Sequence, residues 1–343
     1  MKKIATTFIG LAATIAAQAF PFYSPLLEAL SESAAINAVM ETNDTNQDVM
    51  LPFGNMDQWF VRTIKESKLL GGKTVTLSEI APNGSSAENK PYSNMGGSPW
   101  ATSNVYAKVA GIVKTNVSVY KDTHPGHGSC AKLYSHLVSC KVLGIVDVEV
   151  FAAGSIYLGS LQEPITGAAN PYGKINFGIK FNKKPKAVKF DYKTKIIPGD
   201  RIRKGTGKRT TVQGQDMAEC VCFIQKRWED AEGNISATRV GTLVKRFNKS
   251  TPDWVNNAEF EIYYGDMSKV SGYDKSSMGL SGNGGIERYA KNSKGKLVKV
   301  KEVGWDGDAT PTHMILQFTS SHGGAYIGTV GNTLWIDNVR MVY

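Results

Sequence analysis

The stretch His313–Tyr343, HMILQFTSSHGGAYIGTVGNTLWIDNVRMVY, decides the fold. Two strand-like runs, Met314–Phe318 and Thr333–Val342, bracket a segment rich in serine and glycine. Met314, Leu316 and Phe318 alternate with Ile315 and Gln317, and Leu334 and Ile336 alternate with Trp335 and Asp337. Successive side chains of a strand point to opposite faces, so a period of two predicts a sheet with one face in a core.

The same signal recurs upstream. Gly144–Phe151 (GIVDVEVF) alternates, and Ala218, Cys220, Cys222 and Ile224 face away from Glu219, Val221 and Phe223. Val105–Tyr120 is rich in Val and Ile without a helical period. Turn clusters at Pro198-Gly199-Asp200 and Glu232-Gly233-Asn234 separate the runs, and Pro185 belongs at the start or edge of a strand. Thirty-five glycines and 13 prolines suit a turn-rich β-protein, and an apolar fraction of 41% suffices for a real core. These observations predict a mainly β chain, an antiparallel β-sandwich of jelly-roll topology. A short N-terminal helix is expected at Ser24–Met40, capped by Ser24 with Pro25 in its first position.

Met1–Ala19 has the form of an export signal. Lys2 and Lys3 precede the apolar run Ile4–Ala17, and Ala17-Gln18-Ala19 fits small-x-small cleavage. The run is short against the roughly 20 residues of a membrane span, and no later stretch is apolar enough for one. The expected organisation is a signal peptide (1–19), a helical arm and linker (20–49) and a β-domain (50–343). The expected destination is the periplasm, the outer-membrane surface or the exterior. The net charge of +10 is dispersed, with local runs at Lys180–Lys195 and Ile202–Arg209. A nucleic-acid partner calls for concentrated charge, so none is expected; solvated strand edges, or a patch for acidic glycans, fit better.

Four cysteines in an oxidising compartment raise the question of a disulfide. A Cys130–Cys140 bond across a short hairpin is one reading. Cys220 and Cys222 sit two apart on one strand face and cannot easily bond each other, so they are expected as buried free thiols.

Five further segments carry a family likeness: Phe53–Phe60 (FGNMDQWF), Trp100–Asn104 (WATSN), Gly154–Gly159 (GSIYLG), Phe177–Lys193 (FGIKFNKKPKAVKFDYK) and Trp254–Tyr264 (WVNNAEFEIYY). Their order and spacing, with the closing L-x-I-D-N-V run, resemble the putative carbohydrate metabolism domain (PCMD) family of Bacteroidetes envelope proteins. Lys180 stands where that pattern has proline, Lys184 where it has arginine, and Lys193-Thr194 where it has lysine-tyrosine. The resemblance implies a carbohydrate-binding jelly roll with a glycan as partner. It also implies a structural Ca²⁺, with Asp337 among its oxygen ligands.

Sugar recognition needs flat aromatic faces and polar groups for the hydroxyls. Trp100, Trp228, Trp254 and Trp305, beside turn residues, are the platform candidates, with Tyr192, Tyr289 and Tyr326 behind them. Trp59 and Trp335 are expected to pack at least one face. Glycoside hydrolysis needs two carboxyls roughly 5 Å apart for retention or 6.5–9.5 Å for inversion. Asp147/Glu149, Glu259/Glu261 and Asp306/Asp308 have the alternate spacing, which any solvent-facing strand also produces. Ser320-Ser321-His322 sets hydroxyls beside an imidazole, but neighbours on a strand diverge, and no glycine-x-serine-x-glycine elbow occurs. His124 and His127, in THPGHG, have a spacing that suits a metal, without an evident third ligand. The reading favoured is a non-catalytic carbohydrate-binding protein, ahead of a glycoside hydrolase or a structural, adhesive surface component.

Overall fold

A computed structural model describes residues 47–92, 97–142, 146–167 and 169–343, with only the backbone at 140–142 and 146–148. The expected signal peptide and the Ser24–Met40 helix lie outside the described residues. Among those residues the chain is mainly β, and no helix is long and apolar enough to cross a membrane.

Two sheets carry the architecture. In the first, the strand order is Val255–Glu261, Ala187–Lys195, Thr333–Val342, Gly128–Tyr134, Val119–His124. The Thr333–Val342 strand is long enough to hold two different neighbours along one side. Gly128–Tyr134 pairs with its first half, and the short strand Asp48–Met50 pairs with its last residues, Asp48 opposite Val342. In the second sheet the order is Ile175–Phe177, Ser155–Leu161, His313–Thr319, Ala218–Glu229, Ile235–Phe247, Leu297–Trp305, Tyr289–Lys291.

The sheets face each other through the residues that the alternation singled out. Leu334 and Ile336 of the first sheet share a core with Met314, Leu316, Phe318, Cys220, Cys222 and Ile224 of the second. Phe190 meets Phe318 edge-on at 4.9 Å across that interface, a favoured aromatic geometry. The opposite face of Ala218–Glu229 is buried as well: Val221 and Phe223 join Tyr157, Phe177 and Ile315 in a second cluster. That central strand is therefore covered on both sides, and this second face forms a site.

The pairing is not purely antiparallel. Ile235–Phe247 and Leu297–Trp305 run parallel, as do Trp59–Lys65 and Gly84–Ser86. Parallel neighbours need a long return path, and residues 248–296 supply it in the first case.

Cys130 is a buried free thiol, which excludes the Cys130–Cys140 bond. The two cysteines belong to different hairpins: Cys130 pairs with Asp122, whereas Cys140 pairs with Val148. Cys220 and Cys222 are buried and free, as their spacing predicts.

Two bulges interrupt the first sheet around one residue. Pairing with Ala187–Lys195 shifts between Lys189 and Asp191 on the Thr333–Val342 side, and between Phe190 and Tyr192 on the Val255–Glu261 side. Each shift inserts one residue, with Asn338 (φ 53°) and Asn257 (φ 56°) in the left-handed region that asparagine tolerates better than most side chains. The first insertion explains why the inward residues of the closing strand run Leu334, Ile336, then Val339, Met341.

Candidate functional site

On the outer face of the second sheet, register builds two rows of side chains. Tyr157, Gln317 and Val221 lie side by side, and Ser155, Thr319 and Glu219 form the next row. Around them rise the Val105–Asn116 hairpin, Phe151, the loop residues Asn170, Pro171 and Tyr172, Arg288, and the loop carrying His322 and Tyr326. Together they enclose a pocket of about 510 Å³, within the usual range of small-molecule sites. The walls are largely apolar and aromatic. Tyr157 and Phe177 have ring centroids 5.5 Å apart, and Tyr172 adds a third ring 6.5 Å from Phe177.

The polar groups are few and unusual. Glu219 is the one carboxylate among the lining residues. Burial raises its proton affinity, against the pull of Arg246, His322 and Arg288; Arg246 Nε donates to its Oε2 at 2.8 Å. Arg288 is 3% exposed, with its guanidinium carbon 5.0 Å from the Phe177 centroid and 5.6 Å from that of Phe223. Its guanidinium has no ion pair among the described residues, and its Nε is buried without a hydrogen-bond partner. Burial therefore favours loss of its proton. The Tyr157 hydroxyl and the Asn116 amide oxygen, also on lining residues, are buried without partners too. Buried polar groups in native proteins are nearly always bonded, and three unbonded ones lie around this one pocket.

The serine–histidine segment lies at the rim in a structural arrangement. Ser321 Oγ donates to Asp216 Oδ1 at 3.0 Å, and His322 Nδ1 lies 3.0 Å from the same oxygen. Serine and histidine thus share one buried carboxylate. A nucleophilic triad needs the histidine between the other two.

The residues proposed from sequence fall elsewhere. Trp100 is 1% exposed in the main core, its Nε1 donating to the Pro52 carbonyl at 2.9 Å. Tyr192 packs 4.5 Å from the Phe247 ring. Trp305 is half-buried near Arg239, and Trp228 is exposed at a strand end. None of these lines the pocket, and neither does Trp254. Glu259 and Glu261 sit on the edge strand of the other sheet, Asp306 caps a turn by accepting from Asp308 N and Ala309 N, and the Asp147 side chain lies outside the described residues. Glu219 was visible in the alternation as a residue facing away from the core. Tyr326 was a lesser candidate and does line the pocket; Arg288 gave no sequence signal.

Asp337 and Trp254 do meet, on the outer face of the first sheet, through His124. The buried His124 ring is stacked between His127 (4.2 Å) and Trp254 (3.7 Å). Its Nδ1 lies 2.8 Å from Asp337 Oδ2. Asp191, opposite Asp337 across the strands, accepts from Asn257 N at 2.6 Å and from Asn338 Nδ2 at 2.8 Å. Burial, then the neighbouring Asp191 and Asp57 charges, push the Asp337 carboxyl up to about 7, although Asn338 N donates to it. Calcium takes six to eight oxygens. Here the donors around Asp337 are one further carboxylate, Asp191, and two imidazoles, His124 and His127, rather than a full set of oxygens. This donor set does not fit Ca²⁺.

Residues 83–342 match the model of a family described as "putative carbohydrate metabolism domain". Among solved structures, the chain is similar to a putative glycoside hydrolase from Bacteroides thetaiotaomicron, at 17% identity and a TM-score of 0.40. That match covers 66% of this chain and 57% of the other, so the chain spans less than two thirds of that protein. It is also similar to a putative glycoside hydrolase from Bacteroides vulgatus, at 13% identity and a TM-score of 0.42, covering 87% of this chain and 96% of that one. No curated protein matches the chain.

Proposed function

The chain belongs to the putative carbohydrate metabolism domain family, and from that premise we propose that it is a non-catalytic carbohydrate-binding protein whose sugar sits in the pocket over Tyr157, Gln317 and Thr319. The observation that carries this reading is the unpartnered, buried Arg288 guanidinium in a wall that also holds the orphaned Tyr157 hydroxyl and Asn116 oxygen. A sugar residue supplies both complements: hydroxyls for the orphaned tyrosine and amide, and a carboxylate on a uronic-type sugar for the guanidinium. The tyrosine and phenylalanine rings give the flat apolar faces that sugar C–H groups pack against.

Hydrolysis is the second reading, because a carboxyl whose proton affinity is raised by burial, as that of Glu219 is, suits a general acid. That chemistry needs a second carboxyl, and no other carboxylate lines the pocket among the described residues. Binding without turnover is the better account. On the family's precedent we take the sandwich to be a jelly roll, exported by residues 1–19 and acting at the bacterial envelope; a purely structural, adhesive role is the remaining alternative.

The test is titration calorimetry of the purified chain with neutral and uronate-containing oligosaccharides, followed by a reducing-end assay on each binder. Uronate binding that Arg288→Met weakens by roughly ten- to a hundredfold, the worth of one charge-assisted bond, is the expected result. New reducing ends would establish the hydrolase instead. Silence toward every sugar would leave the adhesive role.

A further inference from the structure

We propose that His124, His127 and Asp191, with Asp337 behind them, form a binding site for a divalent transition ion of the zinc class. One donor atom from each of His124, His127 and Asp191 lies within 4.8 Å of the others. Two imidazoles and one carboxylate are the ligand chemistry of borderline ions, with the fourth position open to water. It is the chemistry that calcium, with its demand for oxygen, does not select.

The surroundings are those of a built site. His124 is buried, and its Nδ1 is committed to Asp337. Asp337 thereby anchors the ring, and one His124 nitrogen lies within 4.8 Å of the donor atoms of His127 and Asp191. This carboxylate–histidine arrangement is the one that fixes ring orientation and tautomer in metalloproteins. Asp191 is fixed just as firmly, at the centre of two bulges, by donors from Asn257 and Asn338. Sheets acquire such paired irregularities where a side chain is re-aimed for a purpose. The two buried carboxyl groups, Asp191 and Asp337, both lie beside the His124 ring. The guanidinium nearest Asp191, that of Arg340, is 4.0 Å away and already bonded to Asn257 Oδ1.

His127 is the movable member. It is exposed, on a turn formed by Pro125, Gly126 and Gly128, both glycines with positive φ. Zinc–nitrogen bonds of about 2.0–2.1 Å set tetrahedral donors roughly 3.3 Å apart. Binding therefore requires the His127 ring to leave its stack on His124 and turn its nitrogen toward the shared ion. Trp254, on the other face of His124, reports the event.

The experiment uses the full chain without an affinity tag, stripped by chelator and titrated with zinc chloride by calorimetry and Trp fluorescence, with Co²⁺ as a spectroscopic probe. The expected result is one zinc ion per chain, visible ligand-field bands with cobalt, and at least tenfold weaker binding in His127→Ala, whose exposed position leaves the fold intact. Asp191→Asn is the second variant, with its melting curve as the check on folding. Absence of saturable zinc binding would overturn the proposal. So would zinc affinity unchanged in His127→Ala, or a calcium-induced fluorescence change that His127→Ala leaves in place.

Discussion

Two buried arginines lie against the same phenylalanine, and they should respond to the same substitution in opposite directions. Arg239 is 3.5 Å from the Phe223 centroid and makes a two-pronged pair with Glu302, Nε to Oε1 and Nη2 to Oε2 both at 2.6 Å. Gln225 and the Ser281 N–H complete the carboxylate's partners. Arg239→Met strands the Glu302 charge in the interior, and breaking a buried pair in this way costs about 3–5 kcal/mol. At about 2 °C per kcal/mol for a domain of this size, the melting temperature should fall by roughly 6–10 °C. Arg288, 5.6 Å from the same ring, has no salt-bridge partner among the described residues, and Glu219 and Glu302 act on it only at longer range. Arg288→Met removes a buried charge that is only weakly compensated, worth several kcal/mol, and gives up stacking on Phe177 and Phe223 worth about 2 kcal/mol. The methionine keeps most of the apolar stem. The net gain should be about 1–2 kcal/mol, a rise of roughly 2–4 °C. Scanning calorimetry at pH 7 without sugar measures both. An Arg288→Met protein less stable than wild type by more than about 1 kcal/mol would refute the reasoning, since it would mean that the guanidinium has a strong partner within the folded chain.

Three other outcomes are expected. Glu79, buried beside Arg62 with Glu163 on the same guanidinium, is pushed up to about 7 by burial. A carboxyl whose folded pKa exceeds its unfolded one stabilises below the unfolded value of 4.5 and loses that contribution as pH rises through 7. Urea unfolding of wild type should therefore lose stability across that window relative to Glu79→Gln; parallel profiles would contradict it. Asn338→Gly should be tolerated better than Asn338→Val by about 1–2 kcal/mol in chemical denaturation, because a β-branched residue resists the left-handed backbone. Burial raises the thiols of Cys130 (to about 12), Cys220 and Cys222; peptide mapping after iodoacetamide treatment at pH 8 should find these three unmodified in native protein and modified in urea.

The fold was legible where residue type alternates along a strand. Met314, Leu316 and Phe318, and Ala218 through Ile224, show their inward faces in the sequence because one side of each strand sits in a single core. What the pattern could not show is the Asn338 bulge, since one inserted residue changes the phase without changing the composition. The parallel neighbours were equally hidden, because pairing direction is set by a distant crossover. The pocket was less legible than the core. Tyr157, Glu219, Arg288 and Gln317 meet only through strand register and one loop. Tryptophans beside turns, chosen for their flat faces, are also large enough to be drawn into packing, as Trp100 was. His124 and His127 announced themselves by spacing; Asp191 did not, being one charged residue among the lysines of a half-buried strand.

The corner where residues 47 and 343 meet has a mechanical meaning. Asp48 lies opposite Val342, and the Tyr343 N–H donates to the Gln47 carbonyl at 3.4 Å, so residues 47 and 343 leave from the same side of a three-residue antiparallel pairing. Tension between those two points loads its hydrogen bonds one after another, as in opening a zip. Tension between residue 343 and a ligand held in the pocket instead runs along the Thr333–Val342 strand, where its bonds to Ala187–Lys195 share the load. Single-molecule stretching between residues 47 and 343 should therefore show a first release at low force, and stretching along the strand a release at higher force.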